Sequence, residues 1–111
     1  MVLWHNEQDS QRTPHDVHAG DEVELRIGTY PIELGHHVFI EWKVIQKEIE
    51  KSNGAVEATW HFNDWGRGNS YWQVKFGPFD ENDTVVYIVR GQCEQELAGP
   101  LSYSFIVGQE N

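Results

Sequence analysis

Cysteine is nearly missing from this chain: Cys93 stands alone among 111 residues. A lone cysteine forms no disulfide within its own chain, and no zinc site built on cysteines can be assembled from it. The chain is therefore not a disulfide-stapled miniprotein, and a reducing compartment suits it. Positive charge is also scarce. Eight Lys and Arg face 18 Asp and Glu, a formal net charge of -10. Nucleic acid and anionic membranes both reward clustered Lys and Arg, so neither is expected as a partner. No apolar run approaches the ~20 residues of a membrane-spanning helix. The opening residues, Met1-Val2-Leu3-Trp4-His5-Asn6-Glu7, show no basic segment followed by an apolar one. No signal peptide is therefore expected, and a cytoplasmic location is favoured. The length suits one domain and falls well below the ~250 residues of a (β/α)8 barrel.

Aromatic side chains, by contrast, are abundant. They make up 13% of the chain and include five Trp. A series of segments alternates apolar and polar residues with period 2, the mark of half-buried strands. Val23, Leu25 and Ile27 share one face. Val38, Ile40, Trp42 and Val44 share another. Residues 56–62 and 71–76 continue the pattern, with Trp60 in phase with Val56 and Ala58, and Trp72 in phase with Val74 and Phe76. Residues 84–90 are apolar on both faces, as in a central strand, and 101–107 close the series. A short edge strand is expected near Trp4. Turn residues punctuate the series at Tyr30-Pro31, Ser52-Asn53-Gly54, Gly66–Asn69, Gly77-Pro78, Asn82-Asp83 and Gly99-Pro100. Over 45–51, the Ile45/Ile49 spacing suits a short helical turn, but a prolonged strand or a loop leading to Asn53-Gly54 is the preferred reading.

Six or seven short strands without a long helix indicate an all-β fold: an immunoglobulin-like β-sandwich of about seven antiparallel strands. The whole of 1–111 reads as one domain, irregular over 1–20 and sandwich over 21–108. Trp42, Trp60 and Trp72 are expected in the core and Trp4 at the edge.

Few catalytic signatures survive inspection. The histidines, His5, His15, His18, His36, His37 and His61, form no His-Glu-x-x-His pattern, and neighbours on a strand point to opposite faces. They read as surface or turn residues, so no metal site is expected. Asp21-Glu22 and Asp80–Asp83 read as solvated charge, and the latter lacks the ordered calcium-loop pattern. Cys93 lies among acids that disfavour a thiolate. No Gly-x-Ser-x-Gly elbow or phosphate-binding glycine loop is present, and no cofactor is expected.

The remaining feature is Trp65, in the loop Asn63–Ser70, beside Tyr71, which is out of phase with the core face. Exposed aromatic planes stack on the apolar faces of sugar rings, and flanking polar groups bind hydroxyls. Trp65 and Tyr71 are therefore the candidate carbohydrate-stacking residues, with Asp64, Arg67 and Asn69 as polar partners. A lid on the core is the competing role for Trp65.

The stretch Ser70-Tyr71-Trp72-Gln73-Val74-Lys75-Phe76-Gly77-Pro78-Phe79, followed by Asp83-Thr84-Val85-Val86-Tyr87-Ile88-Val89, resembles the N-terminal immunoglobulin-like (early-set) domains that precede the catalytic domains of α-amylase-like and related glycoside hydrolases. Val23-x-Leu25-x-Ile27-Gly28-Thr29 and Val38-x-Ile40-x-Trp42 extend the resemblance over about 21–107. Asn82-Asp83 departs from the usual Gly-Asp. The resemblance implies that Trp72, Phe79, Val85 and Tyr87 are core residues. It also implies a non-catalytic accessory or carbohydrate-binding module of a glycoside hydrolase, excised from a longer enzyme. Its partner would be α-glucan or another oligosaccharide, or an adjacent catalytic domain. The alternative is a stand-alone immunoglobulin-like protein-interaction domain using an edge strand or loop patch.

Overall fold

The computed structural model describes residues 1–110. The alternating segments form nine strands: β1 (Val2–Trp4), β2 (Arg12–Thr13), β3 (Val23–Tyr30), β4 (His36–Gln46), β5 (Ile49–Glu57), β6 (Thr59–Asp64), β7 (Asn69–Phe76), β8 (Thr84–Cys93) and β9 (Glu96–Ile106). One sheet runs β1-β3-β7-β6, with β2 also on β3, and the other runs β5-β4-β8-β9. All pairings between these strands are antiparallel. No helix occurs among the described residues.

The core lies between the inward faces. Val23, Leu25 and Ile27 from one sheet meet Val38, Ile40, Val85, Tyr87 and Val89 from the other. Each such aliphatic side chain contributes about 1.5–3 kcal/mol on burial. Phe76 packs edge-on against Phe79, Tyr87 and Phe105, closing one end. Phe79, Val85 and Tyr87 are buried as the resemblance implies, and Trp72 packs half-buried against the same core.

Three local readings are corrected. The Asn53-Gly54 signal is not a turn: both residues lie inside β5, opposite Lys43 and Trp42 of β4. The turn is Lys47-Glu48, whose φ values of 53° and 65° have the sign that primed hairpin turns require. Gly54 is needed for a different reason, because a Cβ there would enter the Trp42 indole, which also packs on Phe76. The run 56–62 is two strands rather than one. The chain leaves one sheet after Glu57 and joins the other at Thr59, with the buried Ala58 donating its N–H to Val38 O at 2.8 Å. Finally, the acidic stretch 80–83 is not simply solvated. Asp83 is 1% exposed. Its carboxylate accepts from Lys51 Nζ at 3.0 Å, Gln46 Nε2 at 3.2 Å and the Asp80 N–H at 2.9 Å.

The N-terminal segment is held by side chains. β1 forms the edge of its sheet as expected for Trp4, pairing Trp4 with Gly28. His5 is buried, its ring edge-on to Tyr87 and Tyr103. Its Nδ1 lies 2.8 Å from Arg26 O, an acceptor only, so Nδ1 carries the proton and donates. Nε2 then accepts from the Tyr87 hydroxyl at 2.9 Å. Tyr103 in turn donates to His5 O at 2.9 Å.

Two predictions follow from this packing. Gly54→Ala forces the Trp42 ring aside and should cost about 1–3 kcal/mol in urea unfolding. Burial lowers the His5 pKa from its usual 6.5, against the backbone hydrogen bonds that raise it. The folded state therefore favours neutral His5. Its contribution is complete above the unfolded-state value and is lost as pH falls from about 6.5 towards the lower folded value. Urea titrations at successive pH should show this loss of stability, and His5→Gln should remove the part of the slope that His5 supplies.

Candidate functional site

Because the chain changes sheets at Ala58, β6 becomes the free edge of its sheet. The connection between β3 and β4, residues 31–35, rises opposite it. Between the two lies a cleft of about 510 Å³. Three indoles line it: Trp60, Trp65 and Trp72. Ile32 and Leu34 supply apolar surface from the facing loop, and Glu33, His36, Asn63 and Ser70 supply the polar groups.

The position of Trp60 comes from a β-bulge. Trp60 pairs with Trp72, but Phe62 pairs with Tyr71, so His61 is the extra residue. Cross-strand partners share a face, so Trp60 lies beside Trp72 on the core-side face and Phe62 beside Tyr71 on the outer face. The expectation of a core Trp60 is corrected: it is 56% exposed, because the opposing sheet does not cover this edge. Its Nε1–H donates to Asn63 Oδ1 at 2.9 Å, and Ser70 Oγ donates to the same oxygen at 2.7 Å. Both lone pairs of that oxygen are thus occupied, and the Asn63 amide N–H groups keep capacity for a ligand. Trp72 donates to Thr29 Oγ1 at 2.9 Å, which fixes its ring.

Trp65 stands on the β6–β7 turn and is 75% exposed, so it is not a lid on the core. Asp64 shapes that turn. Its backbone oxygen accepts from Gly68 N at 2.9 Å and its Oδ1 from Arg67 N at 3.3 Å. Gly68 has φ 74°, a conformation that glycine adopts without steric cost.

Of the five residues expected to hold sugar, only Trp65 lines the cleft. Tyr71 is 4% exposed and points to the outer face. It stacks on Phe62 with ring centroids 4.8 Å apart, meets Trp4 edge-on, and donates to Asp9 Oδ2 at 2.7 Å. Its position out of phase with the core correctly placed it on the other face. There Tyr71 is covered by Trp4 and Asp9 of the N-terminal segment, and sequence periodicity carries no sign of the cover. Asn69 donates to the Tyr71 oxygen at 3.3 Å, also away from the cleft. Asp64 holds the turn, and Arg67 is exposed beside it, 3.9 Å from the Asp64 carboxylate. Trp60, Trp72, Asn63, Ser70 and Glu33 were not singled out. The signal that would have found Trp60 is the change of sheet at Ala58, which period-2 reading does not detect.

The electrostatics of the cleft are mild. Glu33 is the carboxylate of the lining, with Oε1 2.8 Å from His36 Nε2 and 3.5 Å from Cys93 Sγ. The His36 contact, then the Cys93 contact, holds its pKa below the usual value. Burial, and then Glu33 beside it, pushes the Cys93 thiol up. A thiol so disfavoured from ionising is a poor nucleophile. With one carboxylate, the lining does not assemble the pair that glycoside hydrolysis commonly uses. Aromatic walls with a few placed hydrogen-bonding groups suit a neutral, hydroxyl-rich ligand.

On the outer face, burial works to raise the Asp9 pKa. The hydrogen bonds from Tyr71 and Trp4 outweigh it and hold that pKa below its usual 3.8. Tyr71→Phe removes a hydrogen bond to a charged group and should cost about 1.5–3 kcal/mol in thermal or urea unfolding, with the cleft unaltered.

No family model matches the chain. It is 30% identical over 107 residues to an isomaltosyltransferase of Sporosarcina globispora, covering 94% of this chain and 9% of that protein. Among solved structures, it matches a cycloalternan-forming enzyme from Listeria monocytogenes, in complex with a pentasaccharide substrate, at TM-score 0.78 and 28% identity. That match covers 96% of this chain and 10% of the enzyme. An uncharacterized protein of Listeria monocytogenes EGD-e, solved with α-D-glucose, β-D-glucose, magnesium and calcium, matches with the same TM-score, identity and coverage. The chain thus spans about a tenth of the length of the relatives it matches, a share that fits an accessory domain.

Proposed function

We propose that this chain is a non-catalytic accessory module of a glucan-acting enzyme of the glycoside hydrolase type, and that it binds α-glucan or a related oligosaccharide. The observation that carries this reading is the convergence of Trp60, Trp65 and Trp72 on one open cleft with a single carboxylate. Indole faces stack on the apolar faces of pyranose rings, and placed polar groups fix the hydroxyls. Here Asn63 N–H groups donate, Glu33 accepts and Ser70 adds a hydroxyl. The site needs no reacting group, because binding alone concentrates the enzyme on its polymer. The name of one relative and the pentasaccharide bound to another support the substrate class.

A second mode of action has its own observation. Leu34, 97% exposed, stands at the lip of the same cleft. An apolar lip beside an exposed indole also suits packing against a neighbouring catalytic domain. In that mode the module braces the enzyme, and free sugar leaves it unperturbed.

The two modes separate in one titration. With maltooligosaccharides and isomaltooligosaccharides added to millimolar concentration, the Trp60 and Trp65 indole N–H resonances should shift together along one saturable curve. Trp60→Ala and Trp65→Ala should each weaken binding about tenfold, the size of ~1.4 kcal/mol, and Tyr71→Phe should leave it unchanged. Unmoved indole resonances at saturating sugar defeat the binding mode and leave bracing.

A further inference from the structure

A second group of side chains lies at the end of the same cleft. His36 is the first residue of β4, and Cys93, the last of β8, is its partner across the ladder. Cross-strand partners place their side chains next to one another. Glu33, from the connection that precedes β4, folds back onto both. One ligand atom from each of the three falls within 4.8 Å of the other two.

We infer that Glu33, His36 and Cys93 form a binding site for a divalent metal ion of the zinc type, a site that the sequence pattern did not lead one to expect. The sequence excluded sets of several cysteines and showed no His-Glu-x-x-His pattern. The ladder brings together one donor of each kind from residues 33, 36 and 93.

The geometry suits such an ion. A tetrahedral site with bonds of ~2.0 Å to nitrogen and oxygen and ~2.3 Å to sulfur has donors separated by ~3.3–3.5 Å. The Glu33–Cys93 separation is 3.5 Å and the Glu33–His36 separation is 2.8 Å. The His36–Cys93 pair lies within 4.8 Å, so side-chain rotations within the trio would bring all three donors to bonding distance. Gly35, with φ 89°, turns the chain between Glu33 and His36, and its position beside Cys93 Sγ carries no side chain.

The donor set is selective. Imidazole nitrogen and thiolate sulfur favour zinc, cobalt or copper over calcium and magnesium, which prefer oxygen. The outer partner is also present. His36 Nδ1 lies 3.4 Å from Thr29 Oγ1, the oxygen that also receives the Trp72 N–H. Metal-bound histidines usually donate their second ring N–H in this way, which fixes ring orientation. The His36 side chain is wholly buried and the Glu33 side chain is partly exposed, so the ion would enter from the Glu33 side. Binding releases the Cys93 thiol proton to solvent and the ion takes its place, and three protein donors leave the fourth position to water. An ion there would clamp residues 31–35, one wall of the tryptophan cleft, to the ends of β4 and β8. The site shares Glu33 and His36 with the cleft lining, but metal binding there does not require sugar.

Cobalt(II) titration of the metal-free chain tests this directly. One equivalent should give a thiolate-to-cobalt charge-transfer band with visible bands of tetrahedral intensity, and zinc should displace it stoichiometrically. Cys93→Ser should abolish the charge-transfer band. Loss of a ligand should weaken zinc binding at least as much as loss of an outer partner, about 10–100-fold. Glu33→Gln, at a partly exposed position where misfolding is not at issue, should keep the band and show the same weakening. Absence of a thiolate band, or zinc affinity unchanged in Cys93→Ser or in Glu33→Gln, overturns the assignment, since binding at His15, His18 or the N-terminus would behave in that way.

Discussion

Ala58 is the point at which one continuous run of chain leaves one sheet and enters the other, and much of the molecule's asymmetry depends on it. Its N–H completes the ladder with Val38 while the residues on either side belong to different layers. A buried alanine suits the crossing, since a larger side chain would have to find room within the packed core of which Ala58 is part. The crossing makes β6 an edge strand. At that edge the core-side face of one sheet extends beyond the cover of the other. A cleft lined by indoles is the physical result.

The two faces of β6 and β7 show how similar residues come to different uses. On the outer face, Tyr71 and Phe62 are stacked, Trp4 covers Gly28, and the polar atoms of Trp4 and Tyr71 both find Asp9. The polar atoms of both Trp4 and Tyr71 there are satisfied within the chain, so these two residues serve packing. On the core-side face, Trp72 and Trp60 have their N–H groups satisfied while much of the Trp60 ring remains open to solvent. A ring with its polar atom anchored and its plane free is preorganised for stacking, because little rotamer freedom is lost when a ligand arrives.

The sandwich itself was legible in the sequence because period-2 alternation is a direct image of two-faced strands. Val23/Leu25/Ile27 and Val38/Ile40 read correctly for that reason. The site was less legible. Periodicity carried past Ala58 and His61 assigns Trp60 to the core, because neither a change of sheet nor a bulge leaves a mark on an alternating pattern. Tyr71 was placed on the correct face, yet its cover comes from Trp4 and Asp9, more than sixty residues away in sequence. Trp65 could be placed in a loop because glycines and polar residues surround it, and its exposure is what the fold adds. The Asn53-Gly54 pair misled because glycine serves close approach as well as turning, and only the Trp42 ring above it tells the two apart.

The bulge at His61 has a further consequence, for the company the molecule keeps in solution. An edge strand offers a row of unpaired backbone groups on which a second chain can build. β6 is such an edge, and it is rich in the aromatic residues that favour strand addition. The extra residue breaks the regular spacing of donors and acceptors along β6 and sharpens its twist. An incoming straight strand finds no continuous register there. The irregularity beside Trp60 thus also makes the exposed edge a poor template for a regular strand.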